Sequence, residues 1–195
     1  MSTDPRPSPT RRTATPELVR AAVMALLQTG GWPGVTHAAV AAHAGVHRAT
    51  VYRRWPSRAD LLLEAITDAA SRQIDAEATD DPRRDLAALL RRTADGVTRY
   101  RVVIDALLGA RAESDEVNVV VGQWFDAREA GFGALLAHHA DRLPGVPDHV
   151  PHAFTLGMGA VWGQLVLRRR PASSLDADAV AATLVQALTT PTTST

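Results

Sequence analysis

Apolar residues recur three and four positions apart along most of the chain and nowhere alternate with polar ones over a strand-length run, so the pattern predicts helices throughout. From Thr15 onward Leu18, Ala22, Val23, Leu26 and Leu27 keep helical spacing, with Thr15 as N-cap, Pro16 at the first helical position and Gly30-Gly31 as the stop. Thr36 caps a short alanine-rich second helix that ends at Gly45, where a positive φ costs glycine little and a sharp turn becomes possible. A third short helix spans about 47–54 and is closed by Pro56. Ser57 then caps a long fourth helix with Leu61, Leu62, Ala65, Ile66, Ala69 and Ile74 inward. Composition changes at the acidic Thr79-Asp80-Asp81-Pro82 break, and beyond it helices are expected at about 83–98, 100–111, 115–140, 149–168 and 175–189. The fold class is all-α, without an internal repeat.

Composition narrows the picture. With 195 residues, 46% hydrophobic and 22% charged, the chain can bury a sizeable core or two small ones, and disorder is not expected of it as a whole. The lack of cysteine removes disulfides, zinc knuckles and thiol nucleophiles. No signal-peptide pattern and no apolar run of about 18 residues is seen, so the expectation is a cytoplasmic protein without a membrane partner. The longest apolar stretch, 154–167, carries Thr155 and Gln164, ends in Arg168-Arg169-Arg170, and reads as a buried helix. Residues 1–13, rich in Pro, Ser, Thr and Arg, read as a flexible basic arm, and 191–195 as a disordered tail.

Net charge is zero, yet residues 1–60 hold eight arginines against Asp4, Glu17 and Asp60, leaving −5 for the remainder. All 21 basic residues are arginine, so position carries more meaning than number. At 100° per residue in the third helix, Val51 points inward with Trp55 near it, while Ala49, Tyr52 and Arg53 point outward, flanked by Arg48, Thr50 and Arg54. A small residue for close approach, hydroxyls and guanidinium groups for phosphate, and Arg for guanine O6 and N7 are what a helix entering the major groove of double-stranded DNA needs. Ala41, small where two helices cross, and Gly45 at the turn complete a helix-turn-helix over 14–57. Trp55 reads as a core plug, and Arg58 as a phosphate contact.

The stretch VTHAAVAAHAGVHRATVYRRWPSRADLLLEAI resembles the DNA-binding domain of TetR-family transcriptional regulators, with the match covering about residues 15–70. The resemblance implies a three-helix head, a linking fourth helix (58–78) and a helical C-terminal domain (58–190 in all) that dimerises and binds a small molecule. It also implies phosphate contacts at Thr36, Thr50, Tyr52 and Arg58, and phosphate or base contacts at Arg48 and Arg53. The chain departs from the family at His47, where Ser or Thr usually caps the reading helix; His caps poorly but can itself donate to phosphate or a base.

In the C-terminal part, Gly159 and Gly163 with Val166, and the Val180, Leu184, Leu188 stripe, suit the last two helices to the dimer interface that the resemblance implies. Tyr100, Trp124, Phe125, Phe132, Phe154, Met158 and Trp162 are candidates for an apolar effector pocket, with core packing as the plain alternative. His138, His139, His149 and His152 read as solvated histidines near a loop and not as a metal site; no metal or other cofactor is expected. The acidic runs at 75–77, 80–81 and 113–116 read as solvated charge at helix ends. No phosphate loop, nucleophile elbow or catalytic carboxylate pair stands out, which argues against an enzyme. The expected function is a homodimeric repressor released from a near-palindromic operator when an unidentified small-molecule effector swings the fourth helix. The alternatives are a ligand-independent regulator or activator, or a helical protein-binding module without sequence-specific DNA binding.

Overall fold

The computed structural model describes residues 9–71 and 78–189. Among the described residues the order is α1 (Pro9–Gly34), α2 (His37–Ala44), α3 (Arg48–Arg54), α4 (Arg58–Ser71), α5 (Pro82–Arg99), α6 (Arg101–Arg111), α7 (Asp115–His138), α8 (Val146–Trp162) and α9 (Ala177–Thr189), with no strand. A π-helical turn at Gly163–Leu167 continues α8, and a short 3-10 turn occupies Ala172–Ser174. The all-α expectation holds. The start of the basic arm, the end of the linking helix with Ile74, the acidic run at 75–77 and the C-terminal tail lie outside the described residues.

Two expected features of α1 need correction. The helix begins at Pro9, not at Thr15, so Pro9–Thr13 is helical and not a free arm. Proline has no amide to leave unpaired in a first turn, and nothing between Pro9 and Thr15 breaks a helix. Its inward face is Val19, Ala22, Val23 and Leu27, whereas Leu18 is half exposed. Val19 is the residue whose spacing to 22, 23 and 27 keeps one face. Gly31, at φ 61 and ψ −164, kinks the helix at the expected stop, after which the chain runs on to Gly34.

The chain divides into two units. The first holds the described residues up to Ala69 together with Val102–Gly122. Its buried side chains include Val40, Ala41, Val51, Trp55, Leu61, Leu62, Ala65 and Ile66, in the phase expected for α2 to α4. Fully burying one such aliphatic side chain contributes about 1.5–3 kcal/mol. Ser57 starts α4 with a reciprocal box: its hydroxyl accepts from the Asp60 amide at 3.0 Å, while the Asp60 carboxylate accepts from the Ser57 amide at 2.8 Å. Glu116, expected to be solvated, instead accepts the Ala59 amide at 3.0 Å and satisfies another first-turn donor of α4.

The second unit takes Ala70–Arg101 and the chain from Gln123 on. Here α5, α8 and α9 pack together, burying Leu86, Leu90, Val161, Leu165, Ala181, Leu184 and Leu188. Asp81 caps α5 by accepting from the amides of Arg83 and Arg84 at 2.9 and 3.2 Å, with Pro82 beginning the helix. Gly145 donates its amide to the Leu188 carbonyl at 2.9 Å, and a Cβ at Gly145 would lie 2.8 Å from that oxygen, so only glycine permits this approach. The 154–167 stretch is not buried all round: Phe154, Met158, Val161 and Leu165 face inward, while Leu156 and Leu167 are exposed. Among the described residues no helix is long and apolar enough to cross a membrane.

Candidate nucleic-acid interface

The turn between α2 and α3 forms as its residues demand. The Thr36 hydroxyl accepts from the Ala39 amide at 3.1 Å, and because that bond uses its oxygen, the exposed hydroxyl keeps its proton to donate outward. Gly45 takes the left-handed conformation, φ 65 and ψ 33. Its neighbour Val46 donates to the Ala41 carbonyl at 3.0 Å, which closes the end of α2. His47 precedes α3 without a side-chain cap bond, as its chemistry suggested.

On α3, Val51 is fully buried and holds the helix down, while Arg48, Ala49, Tyr52, Arg53 and Arg54 are exposed and Thr50 is half-buried. Tyr52 is pre-set from both sides. Its ring stacks on the buried His37 ring, with centroids 3.9 Å apart, and its hydroxyl accepts from Arg48 Nη2 at 3.1 Å. His37 Nε2 in turn lies 2.7 Å from the Trp55 carbonyl oxygen, which can only accept, so the proton sits on Nε2. Sequence reasoning passed over His37, because a histidine inside an alanine-rich helix carries no local signal of a tertiary stack.

Trp55 is the expected core plug, and its indole N–H donates to Glu64. Glu64 also pairs with Arg20 at 3.1 Å, so one carboxylate on α4 ties together α1 and the end of α3. Arg58, expected at phosphate, is also held within the chain. Its Nε donates to the Val35 carbonyl and its Nη2 to the Trp32 carbonyl, both at 2.7 Å, and its guanidinium lies 4.0 Å from the Trp32 ring centroid. The carbonyls around the end of α1 attract these donors, so Arg58 straps the head internally.

In the second unit a cavity of about 220 Å³ opens beside Leu89, Arg92, Arg128, Phe132, Phe154 and Met158. Of the candidate pocket residues, Phe132, Phe154 and Met158 line it. Trp124, Phe125 and Trp162 do not line this cavity but form an aromatic chain, with Trp124–Phe125 centroids at 5.0 Å and Phe125–Trp162 at 5.4 Å. Tyr100 ends α5. Sequence reasoning missed Arg128, which is 8% exposed, sits 4.9 Å from the Trp124 ring centroid and donates to the Thr93 hydroxyl at 3.5 Å. Burial depresses its pKa below the usual arginine value.

The interface stripe is only partly free. Leu184, Leu188 and Val166 are buried within this chain's own core, because the inward face of α9 is needed against α5 and α8. Gly159 and Gly163 have open space where a Cβ would project, and Val180 is half-buried. His139 also differs from expectation: it is buried and bonds the Asp85 carboxylate at 2.9 Å. Burial alone would raise the Asp85 pKa, but the hydroxyl and amide of Thr79 and the ring of His139 outweigh it, and the pKa falls below the ordinary 3.8. Among the described residues no group of three or more histidine or acidic side chains is arranged to hold a metal.

The family model "Bacterial regulatory proteins, tetR family" matches residues 11–65, which spans the head and the start of α4. An uncharacterized HTH-type transcriptional regulator of Mycobacterium tuberculosis (strain ATCC 25618 / H37Rv) is 36% identical over 141 residues, covering 72% of this chain and 68% of its own length. A counterpart in Mycobacterium bovis matches to the same extent. Among solved structures, a TetR-family regulator from Syntrophomonas wolfei superposes with a TM-score of 0.70 at 11% identity, covering 94% of this chain and all of the other. The multidrug binding protein EbrR, complexed with imidazole, does so with 0.63 at 21% identity, covering 97% and 99%. With its glycine turn, its outward Arg-Ala-Tyr-Arg face and a relative this similar, the chain belongs to the TetR family of bacterial transcriptional regulators; it carries a DNA-binding domain and is not an enzyme.

Proposed function

We propose that the protein is a homodimeric repressor whose head reads a near-palindromic operator and which a small-molecule effector, bound in the second unit, releases from DNA. The observation that carries this reading is the exposed face of α3, where Arg48, Ala49, Tyr52 and Arg53 stand clear of a helix pinned by the buried Val51. Ala49 lets the helix approach the base edges, Arg53 reads a base, and Arg48, Thr36, Thr50 and Tyr52 hold phosphates. His47, uncapped and exposed, adds a donor at the same edge.

Exposed Leu156 on α8 and the open sides of Gly159 and Gly163 support a self-association surface there, since small residues allow close helix approach. The interface then draws on this outer face of α8 and not on Leu184 and Leu188. A two-fold dimer places its reading heads about one DNA turn apart, roughly 34 Å, which makes the operator a near-palindrome. The cavity, and the imidazole held by the structurally similar EbrR, support a small effector. Release then requires that the effector bind the DNA-incompetent state more tightly, by a movement of α4 that alters the spacing of the heads, and DNA reciprocally weakens the effector.

Selection of bound duplexes from a random pool at one stated, near-physiological salt concentration tests the reading. Recovery of a near-palindrome with half-sites about one turn apart is the expected result. Recovery of no preferred sequence overturns it in favour of a protein-binding module.

A further inference from the structure

The cavity in the second unit is an apolar chamber with cationic groups set into its wall. Arg128 is 8% exposed and its Nη1 has no hydrogen-bond partner. Arg92, also on the wall, buries its Nε in the same unpartnered state. Among the described residues no acidic side chain lines the chamber; the remaining wall is formed by side chains such as Leu89, Phe132, Phe154 and Met158. Among the described residues Arg128 reaches the Thr93 hydroxyl, which already donates its proton to the Leu89 carbonyl at 2.9 Å and offers a long contact in return.

A buried guanidinium without a carboxylate is costly, because the protein interior does not replace the water it gave up. A core that needed only volume at this place would be served by leucine or methionine. The two arginines stand on the chamber wall from different helices, α5 and α7, so that an anion inside it meets cationic side chains from two elements. The chamber's size limits what accompanies that anion. A cavity of about 150 Å³ admits benzene, so about 220 Å³ suits one ring or a short alkyl chain together with a carboxylate.

We propose that this cavity takes a small organic anion, a carboxylate on a single ring or short apolar chain, with the carboxylate against Arg128 and Arg92 and the apolar part among Leu89, Phe132, Phe154 and Met158. The proposal rests on reading this unit as the effector-binding part of the chain. It goes further by ranking anions above neutral and cationic ligands of the same shape, because a carboxylate meets the guanidinium groups with opposite charge as well as with acceptors.

The test compares benzoate, 3-phenylpropanoate and octanoate with their neutral amides, using the full-length protein, calorimetric titration and thermal unfolding. At least one acid is expected to raise the unfolding temperature and to bind about tenfold or more tightly than its amide. Arg128→Met, which keeps the apolar stem, is expected to abolish that preference, and Arg92→Met to reduce it. Should an amide bind as well as its acid, or should none of the six compounds bind, the anion proposal is overturned, while an effector of other chemistry remains open to the regulatory reading. If an acid binds with the expected preference but leaves affinity for the selected duplex unchanged, the anion site stands and release by this effector fails.

Discussion

The head and the helical bundle of the second unit both place arginines with care, and they do so in opposite senses. In the head, Arg48 and Arg53 face solvent, while the more enclosed Arg20 and Arg58 are matched to a carboxylate or to backbone carbonyls. In the bundle, Arg128 is buried and its polar contact among the described residues is a long one to a hydroxyl. An exposed cation next to a reading helix awaits a polyanion that arrives along a surface, whereas an enclosed cation awaits something small enough to enter. The same side chain thus reports two kinds of partner, and burial tells them apart.

The comparison can be broken most forcefully at the buried polar cluster of Asp85, Thr79 and His139 in the bundle. Asp85→Ala leaves His139 and the Thr79 amide without their acceptor and should cost about 3 kcal/mol, read from urea unfolding. The same pair has a pH signature. The folded Asp85 carboxyl titrates below its unfolded value, so its contribution is complete above about pH 4 and is lost as pH falls through the folded pKa. Asp85→Asn should therefore flatten the acid limb of the stability curve, and an unchanged limb would refute the assignment.

In the head, Arg53→Ala should cost about 1–3 kcal/mol of DNA affinity and relax preference at one base position, while Tyr52→Phe should weaken all duplexes alike and by less. Equal, sequence-blind losses from both would remove the division of labour on α3. In the bundle, Arg128→Met should do the reverse of an ordinary core substitution and stabilise the ligand-free protein by about 1 kcal/mol, seen as a higher unfolding temperature. The smallest effect belongs to His47→Ser, which gives α3 the cap it lacks and should add about 0.5–1 kcal/mol of stability.

Local chemistry made the head legible in sequence. Thr36, Gly45 and Ser57 act on residues within four positions of themselves, and each took the backbone role that its side chain specifies. The same holds for the inward Val51 and Trp55. What stayed hidden depends on partners far along the chain: Arg58 bonds the Trp32 carbonyl, Glu116 the Ala59 amide and His139 the Asp85 carboxylate. An acidic or basic residue at a helix end looks solvated until the fold brings an unpaired backbone group to it. In the bundle, periodicity found the apolar stripe of α9 but could not say whether it faced this chain or another, and it faces this chain. Arg128 escaped notice because a charged residue in an amphipathic helix is taken for surface unless its neighbours are known.

The inward strap formed by Arg58 bears on how binding responds to ionic strength. Each cation that neutralises a phosphate frees condensed counterions and steepens the fall of log K with log salt by about 0.9 for duplex DNA. Arg58 has two of its nitrogens committed to carbonyls and its guanidinium against Trp32, so we expect it to stay out of that count. A salt titration therefore tallies the guanidinium groups of α3, and its slope should be unit-for-unit shallower than the basic residues of this segment would suggest when simply added along the chain.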